Sequence, residues 1–174
     1  MTKNVLYIDM DGVLVDFKRG VEAHPEKKKY KGKEDMIPGI FSKLKPMPGA
    51  IKAFKELFEK FDVYILSTPP WDNPDAWVDK RNWVEKHLPE AKRRLILTHH
   101  KNLNKGDVLI DDSNSRGQDQ FVGEWIHFGK AKFPNWKTIL QYLNNKLGSD
   151  GGRGGQGSLV DYREGLRDDY VLDN

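Results

Sequence analysis

Two aspartates separated by one residue, Asp9 and Asp11, follow the apolar run Val5-Leu6-Tyr7-Ile8, and a second acidic pair, Asp111-Asp112, follows Val108-Leu109-Ile110. Between these pairs, Ser67 and Thr68 follow Val63-Tyr64-Ile65-Leu66, and Lys101 stands just beyond Leu95-Ile96-Leu97. Four carboxylates gathered at one place repel one another unless a cation sits among them. The chain has no cysteine, so oxygen ligands and a hard ion are expected. Mg²⁺ suits that set, because it takes one or two carboxylates and completes its shell with water and phosphate. A lysine and two hydroxyls beside it supply the positive charge and hydrogen-bond donors that a phosphate needs. An aspartate facing phosphorus can act as nucleophile, and a carboxyl two residues on can protonate the leaving oxygen and then activate water. The inventory fits phosphoryl transfer to water.

The elements that must bring these groups together are legible in the apolar pattern. Asn4–Ile8 reads as a strand buried on both faces, and further short strands are expected at 63–66, 95–97, 108–110 and 124–128. A helix is expected from Pro48, with Ile51, Phe54, Leu57, Phe58 and Phe61 at helical spacing. A second is expected from Pro74 to about Leu88, capped by Asn73, with Trp77, Val84 and Leu88 on one side. A closing helix from about Asn135 carries Trp136, Ile139, Leu140, Leu143 and Leu147, with Gly148 as its C-terminal cap. Strands alternating with helices predict an α/β domain with a mostly parallel sheet. In such sheets ligands bind beyond the carboxyl ends of the strands. The acidic pairs, the hydroxyls and Lys101 all fall there.

The segments DMDGV (9–13), ILS (65–67), Lys101 and LIDD (109–112) resemble, in order, the four motifs of the haloacid dehalogenase (HAD) superfamily of phosphotransferases. DMDGVLVDF (9–17), KPMPGA (45–50), DVYILSTPP (62–70), WVEKHL (83–88) and LILTHHK (95–101) are similar to signature segments of the 5′(3′)-deoxyribonucleotidase family. The resemblance covers residues 3–147. It implies a Rossmann-like core and a small, mostly helical cap inserted after the first strand, at residues 17–47. It also implies Asp9 as nucleophile and metal ligand, and Asp11 as general acid/base with its backbone carbonyl on the metal. Asp112 becomes the direct acidic ligand and Asp111 its support, with an exchange of those two jobs left open. Ser67 and Thr68 would hold phosphate oxygens, Lys101 would offset charge on phosphate and on Asp9, and Phe17 would lie against the nucleobase. Gly12 fits a loop whose backbone passes close to the ligand.

The expected activity is therefore a Mg²⁺-dependent phosphatase acting on nucleoside monophosphates, 5′(3′)-deoxyribonucleotides in particular, through an aspartyl-phosphate. Another small phosphate ester, such as a sugar phosphate, is the competing substrate class. A non-catalytic phospho-ligand or protein-binding module is the competing class of function. Residues 148–174 hold three Lys/Arg and six Asp/Glu, which leaves residues 1–147 at a net charge of +6. That balance suits an anionic small molecule; a nucleic-acid partner is not expected, and a homodimer is left open. No run of about 18 apolar residues is present, the amino terminus lacks a leader pattern, and a cytoplasmic protein is expected. SDGGRGGQGS begins a linker by composition, followed by an acidic tail too short to fold alone. By themselves Asp9-Met10-Asp11 would be turn chemistry. His99 and His100 are expected in an exposed loop or at the rim, the five tryptophans in core or half-buried places, and Asp16 is expected to orient a loop.

Overall fold

The computed structural model describes residues 3–150. Five strands form one all-parallel sheet: β1 Val5–Ile8, β2 Asp62–Ser67, β3 Leu95–Leu97, β4 Val108–Asp111 and β5 Glu124–His127, in the order β3-β2-β1-β4-β5. Helices α1 Phe17–Glu22, α2 Ala50–Lys60, α3 Pro74–His87 and α4 Trp136–Asp150 accompany them. The described chain divides into two compact units, Met1–Leu140 and a second that begins at Gln141 within α4. The sheet, the insertion and every group discussed below lie in the first.

Both faces of the sheet are covered, as the continuous apolar runs require. On one face Tyr7, Leu66, Leu109 and Phe121 form a cluster joined by Val5, Tyr64, Ile96 and Trp125. The register explains it, since Tyr7 pairs with Tyr64 and with Leu109, Leu66 with Ile96, and Leu109 with Trp125. The alternate residues Leu6, Ile8, Val63, Ile65, Ile110 and Ile126 are fully buried on the opposite face. A shift of one residue in any strand would exchange these sets, so the register that fills the core also decides which side chains reach the strand ends.

Several element boundaries differ from expectation. Helix α2 starts at Ala50 rather than Pro48, because Gly49 takes a left-handed φ of 80° immediately before it. Asn73 does not cap α3 with its side chain; its Nδ2 donates instead to the Asp35 carbonyl, 2.7 Å away, tying α3 to the insertion. Gly148 does not end α4, which runs to Asp150. The insertion is less helical than expected. Beyond the six residues of α1 it holds two 3₁₀ turns, Glu34–Met36 and Phe41–Lys43, and is otherwise turns and loops. The linker and tail expected beyond residue 150 lie outside the described residues.

Candidate active site

The loop after β1 is wound tightly around one carbonyl. The N–H groups of Val13, Leu14 and Val15 all donate to the Met10 oxygen, at 3.2, 2.8 and 2.8 Å, while Asp9 N–H continues the sheet to the Ile110 carbonyl. This knot holds Asp9 and Asp11 on one rim, and Trp136 steadies it by donating from Nε1 to the Val13 carbonyl at 3.0 Å. Gly12 sits at φ 75°, and a Cβ there would fall 2.0 Å from Asp112 Oδ2. The glycine therefore makes room for the second acidic pair, a more specific reason than closeness to a ligand.

Carboxylate oxygens of Asp9, Asp111 and Asp112 lie within 4.8 Å of one another. Lys101, almost fully buried, places Nζ 2.9 Å from Asp9 Oδ1 and 2.5 Å from Asp111 Oδ2. Burial alone would lower its pKa, but the two carboxylates outweigh that and hold it above the usual lysine value. The other oxygen of Asp111 accepts from Ser113 N–H and from Gln118 Nε2, both at 3.0 Å. Every oxygen of Asp111 is thus engaged by a donor, whereas Asp112 lines the open cavity.

Burial first, and then charge crowding, raises the carboxyls of this set. Burial, with Asp9 and Asp111 nearby, pushes the Asp112 carboxyl up to about 7. Burial and Asp9 push Asp111 up to about 6 against the pull of Lys101. Asp11 is raised as well, first by burial and then by Asp9, with Lys80 opposing.

Lys80 is one of two buried residues that sequence reasoning missed. It sits on α3 fully buried, donating to Asp11 Oδ2 at 2.5 Å and to Ser67 Oγ at 3.0 Å, with its ammonium 4.7 Å from the centre of the Phe41 ring. The signal was present in the helix pattern. The inward stripe of α3 is Ala76, Lys80, Trp83 and Val84, and a lysine at the helical spacing of that stripe calls for a buried partner. Gln118, also buried, was missed for want of any local pattern; it holds both Asp111 and the Arg116 N–H.

The expected hydroxyls part company. Ser67 is fully buried and accepts from Lys80, which leaves its own hydrogen to donate. Thr68 spends its hydroxyl hydrogen on the Thr98 carbonyl at 2.7 Å, stitching the loop after β2 to the loop after β3. Phe17 lines the cavity and stacks on Phe41, with centroids 5.6 Å apart and planes 26° from parallel. Asp16 caps α1 by accepting from Arg19 N–H, so its side chain holds a helix start rather than a loop. His99 is half-buried at the rim, and Trp71 is 75% exposed there rather than in or near the core.

The cavity over these groups measures about 800 Å³. Its floor carries Asp9, Asp11, Gly12, Lys101 and Asp112, and its walls include Phe17, Tyr30 and Phe41 from the insertion and Thr68 to Asp72 from the loop after β2. Four carboxylates, Asp9, Asp11, Asp111 and Asp112, face two buried ammoniums, Lys80 and Lys101. Two negative charges remain when all are ionised. An all-oxygen set with that surplus fits a divalent hard cation.

The family model for "5' nucleotidase, deoxy (Pyrimidine), cytosolic type C protein" matches residues 21–139. A protein of Vibrio phage KVP40, provisionally named a 5′(3′)-deoxyribonucleotidase, is 53% identical over 147 residues, covering 83% of this chain and 86% of its own. The human cytosolic-type 5′(3′)-deoxyribonucleotidase is 33% identical over 173 residues, covering 80% of this chain and 86% of its own. Among solved structures, YfnB of Bacillus subtilis, provisionally named a HAD-hydrolase and bound to magnesium, has the same fold at a TM-score of 0.55 and 12% identity, covering 83% of this chain and all of that one. Among the described residues no helix is long and apolar enough to cross a membrane.

Proposed function

The chain belongs to the 5′(3′)-deoxyribonucleotidase family, and from that footing we propose that it hydrolyses deoxyribonucleoside monophosphates, with Mg²⁺, through an aspartyl-phosphate formed at Asp9. The observation that carries this reading is the pairing of two buried lysines with two aspartates of unlike duty. Lys101 holds Asp9 Oδ1, leaving the other oxygen of Asp9 for phosphorus. Lys80 holds Asp11 Oδ2, while Asp11 Oδ1 is buried with no hydrogen-bond partner. A carboxyl of raised pKa with one oxygen unspoken for is suited to carrying a proton.

In the first step an oxygen of Asp9 bonds to phosphorus, and the bond from phosphorus to the deoxyribose oxygen breaks. Asp11 gives its proton to that leaving oxygen. In the second step Asp11, now ionised, takes a proton from a water whose oxygen bonds to phosphorus. The Asp9–phosphate bond breaks, and inorganic phosphate leaves. Ser67, Lys80 and Lys101 hold the phosphoryl oxygens, and the Thr68 loop and Phe17 wall the nucleoside side. Asp9 and Asp112, with the Asp11 backbone carbonyl, would hold Mg²⁺, and Asp111 would support them through its bonds to Lys101 and Gln118. The ion supplies neutralisation of charge on the phosphoryl oxygens. Phosphate release measured across deoxyribo- and ribonucleoside monophosphates and sugar phosphates, with and without Mg²⁺, tests the reading. Release fastest from deoxyribonucleotides and only with Mg²⁺ is expected; sugar phosphates turning over best would sink it.

The raised carboxyls give a pH signature. Asp112 titrates near 7 and Asp111 near 6 in the folded chain, against 3.8 for an unperturbed aspartate. The folded state therefore binds more protons than the unfolded state between about pH 4 and pH 7, and metal-free stability falls as pH rises through that window. Mg²⁺ must displace those protons, so its stabilisation grows with pH. Thermal unfolding at pH 5.5 and pH 8 should show a larger Mg²⁺-induced rise in Tm at pH 8. An equal rise at both would mean that Asp112 is not a ligand.

A further inference from the structure

We propose that Trp71 is the platform on which the nucleobase lies, an inference that rests on the nucleotidase reading and names the residue that recognises the nucleoside. Four large apolar residues are exposed among the described ones, Trp71, Val78, Leu103 and Val122, and of these Trp71 alone lines the catalytic cavity. An indole left 75% exposed beside a catalytic floor presents apolar surface that a ligand can cover.

Its neighbours hold it without hiding it. Trp77 and His99 meet it at 6.4 and 5.7 Å, with planes inclined by 74° and 69°, so neither ring stacks on its face. Trp77 and His99 also pack on each other at 6.0 Å, making a fixed buttress. The position is tied to the phosphate end of the site as well. Trp71 follows Thr68 by three residues, at most about 11 Å along the chain, through Pro69 and Pro70, whose rings limit backbone freedom. Thr68 is bonded to Thr98, the residue before His99, so the loop carrying the indole and the loop carrying its buttress are joined. Phe17 is less available, because Phe41 already covers one of its faces.

Every base has a π-face, and one base–aromatic stack is large enough to dominate nucleoside affinity. Trp71→Ala should raise KM for both dTMP and dGMP about tenfold, with kcat little changed, while Trp71→Phe retains part of the affinity. Inhibition by inorganic phosphate, which has no base, should keep its wild-type constant in both variants. A Trp71→Ala enzyme with wild-type KM for both nucleotides would overturn the proposal. So would an equal loss of phosphate affinity, which would make Trp71 a support for the phosphate loop. If the wild-type enzyme turned over neither nucleotide, the nucleotidase reading would fall and take this inference with it. That result is distinct from active wild type matched by an equally active variant.

Discussion

Asp9→Asn is expected to lose essentially all Mg²⁺-dependent phosphate release, a fall of about 10⁴-fold or more in kcat, the scale on which removal of a covalent nucleophile acts. The substitution keeps size and shape, and Lys101 retains its ion pair with Asp111, so the fold should survive. A thermal transition close to that of wild type would confirm that chemistry, not stability, was removed. Single-turnover measurements on a deoxyribonucleotide provide the sharpest reading, because they exclude product release. An Asp9→Asn chain turning over within tenfold of wild type would show that the attacking group is not Asp9.

Lys80→Met should lower kcat by about 10²- to 10³-fold, the usual consequence of removing one charge aimed at developing negative charge in a closed site. It takes a donor from Ser67 and the counter-ion from Asp11, and it ends the contact with the Phe41 ring. Removing one partner of a buried pair costs about 3–5 kcal/mol. The cost here should fall at or below the lower end, because Asp11 can take up a proton. The same proton gives a diagnostic. Lys80 lowers the Asp11 pKa, so without it Asp11 titrates higher and is harder to ionise for the water-activating step. Residual activity of Lys80→Met should therefore climb with pH across a range where wild type is flat. Unaltered kcat/KM and an unaltered pH profile would reduce Lys80 to a packing residue.

Much of this site could be read before any coordinates because parallel sheets impose a rule. The residues just past each strand gather at one edge, so Asp9 and Asp11, Ser67 and Thr68, Lys101, and Asp111 and Asp112 were recognisable as a set from the apolar runs that precede them. Helix α3 was also legible, yet Lys80 was passed over. The apolar spacing of that helix does not by itself mark a charged residue inside its buried stripe. Residues 17–47 hold many turns because their lysine- and glycine-containing stretches carry no helical period.

The amino-acid sequence by itself thus determined the alternation of strands and helices, the edge where the chemistry collects and the kinds of group assembled there. Each of those follows from local pattern, since burial on both faces demands unbroken apolar runs and strand ends are where polar residues can return. Tertiary structure alone decided how the groups share their hydrogen bonds. Asp111 is spent on Lys101, Ser113 and Gln118 while Asp112 stays open, the Thr68 proton goes to Thr98, and Asp11 is held from α3, 69 residues away. Gly12 is needed for the sake of a carboxylate 100 residues distant in the chain. Partnerships of this kind depend on distances of a few ångströms between elements far apart in sequence. Only the packing of α3 and the later loops onto the sheet sets those distances.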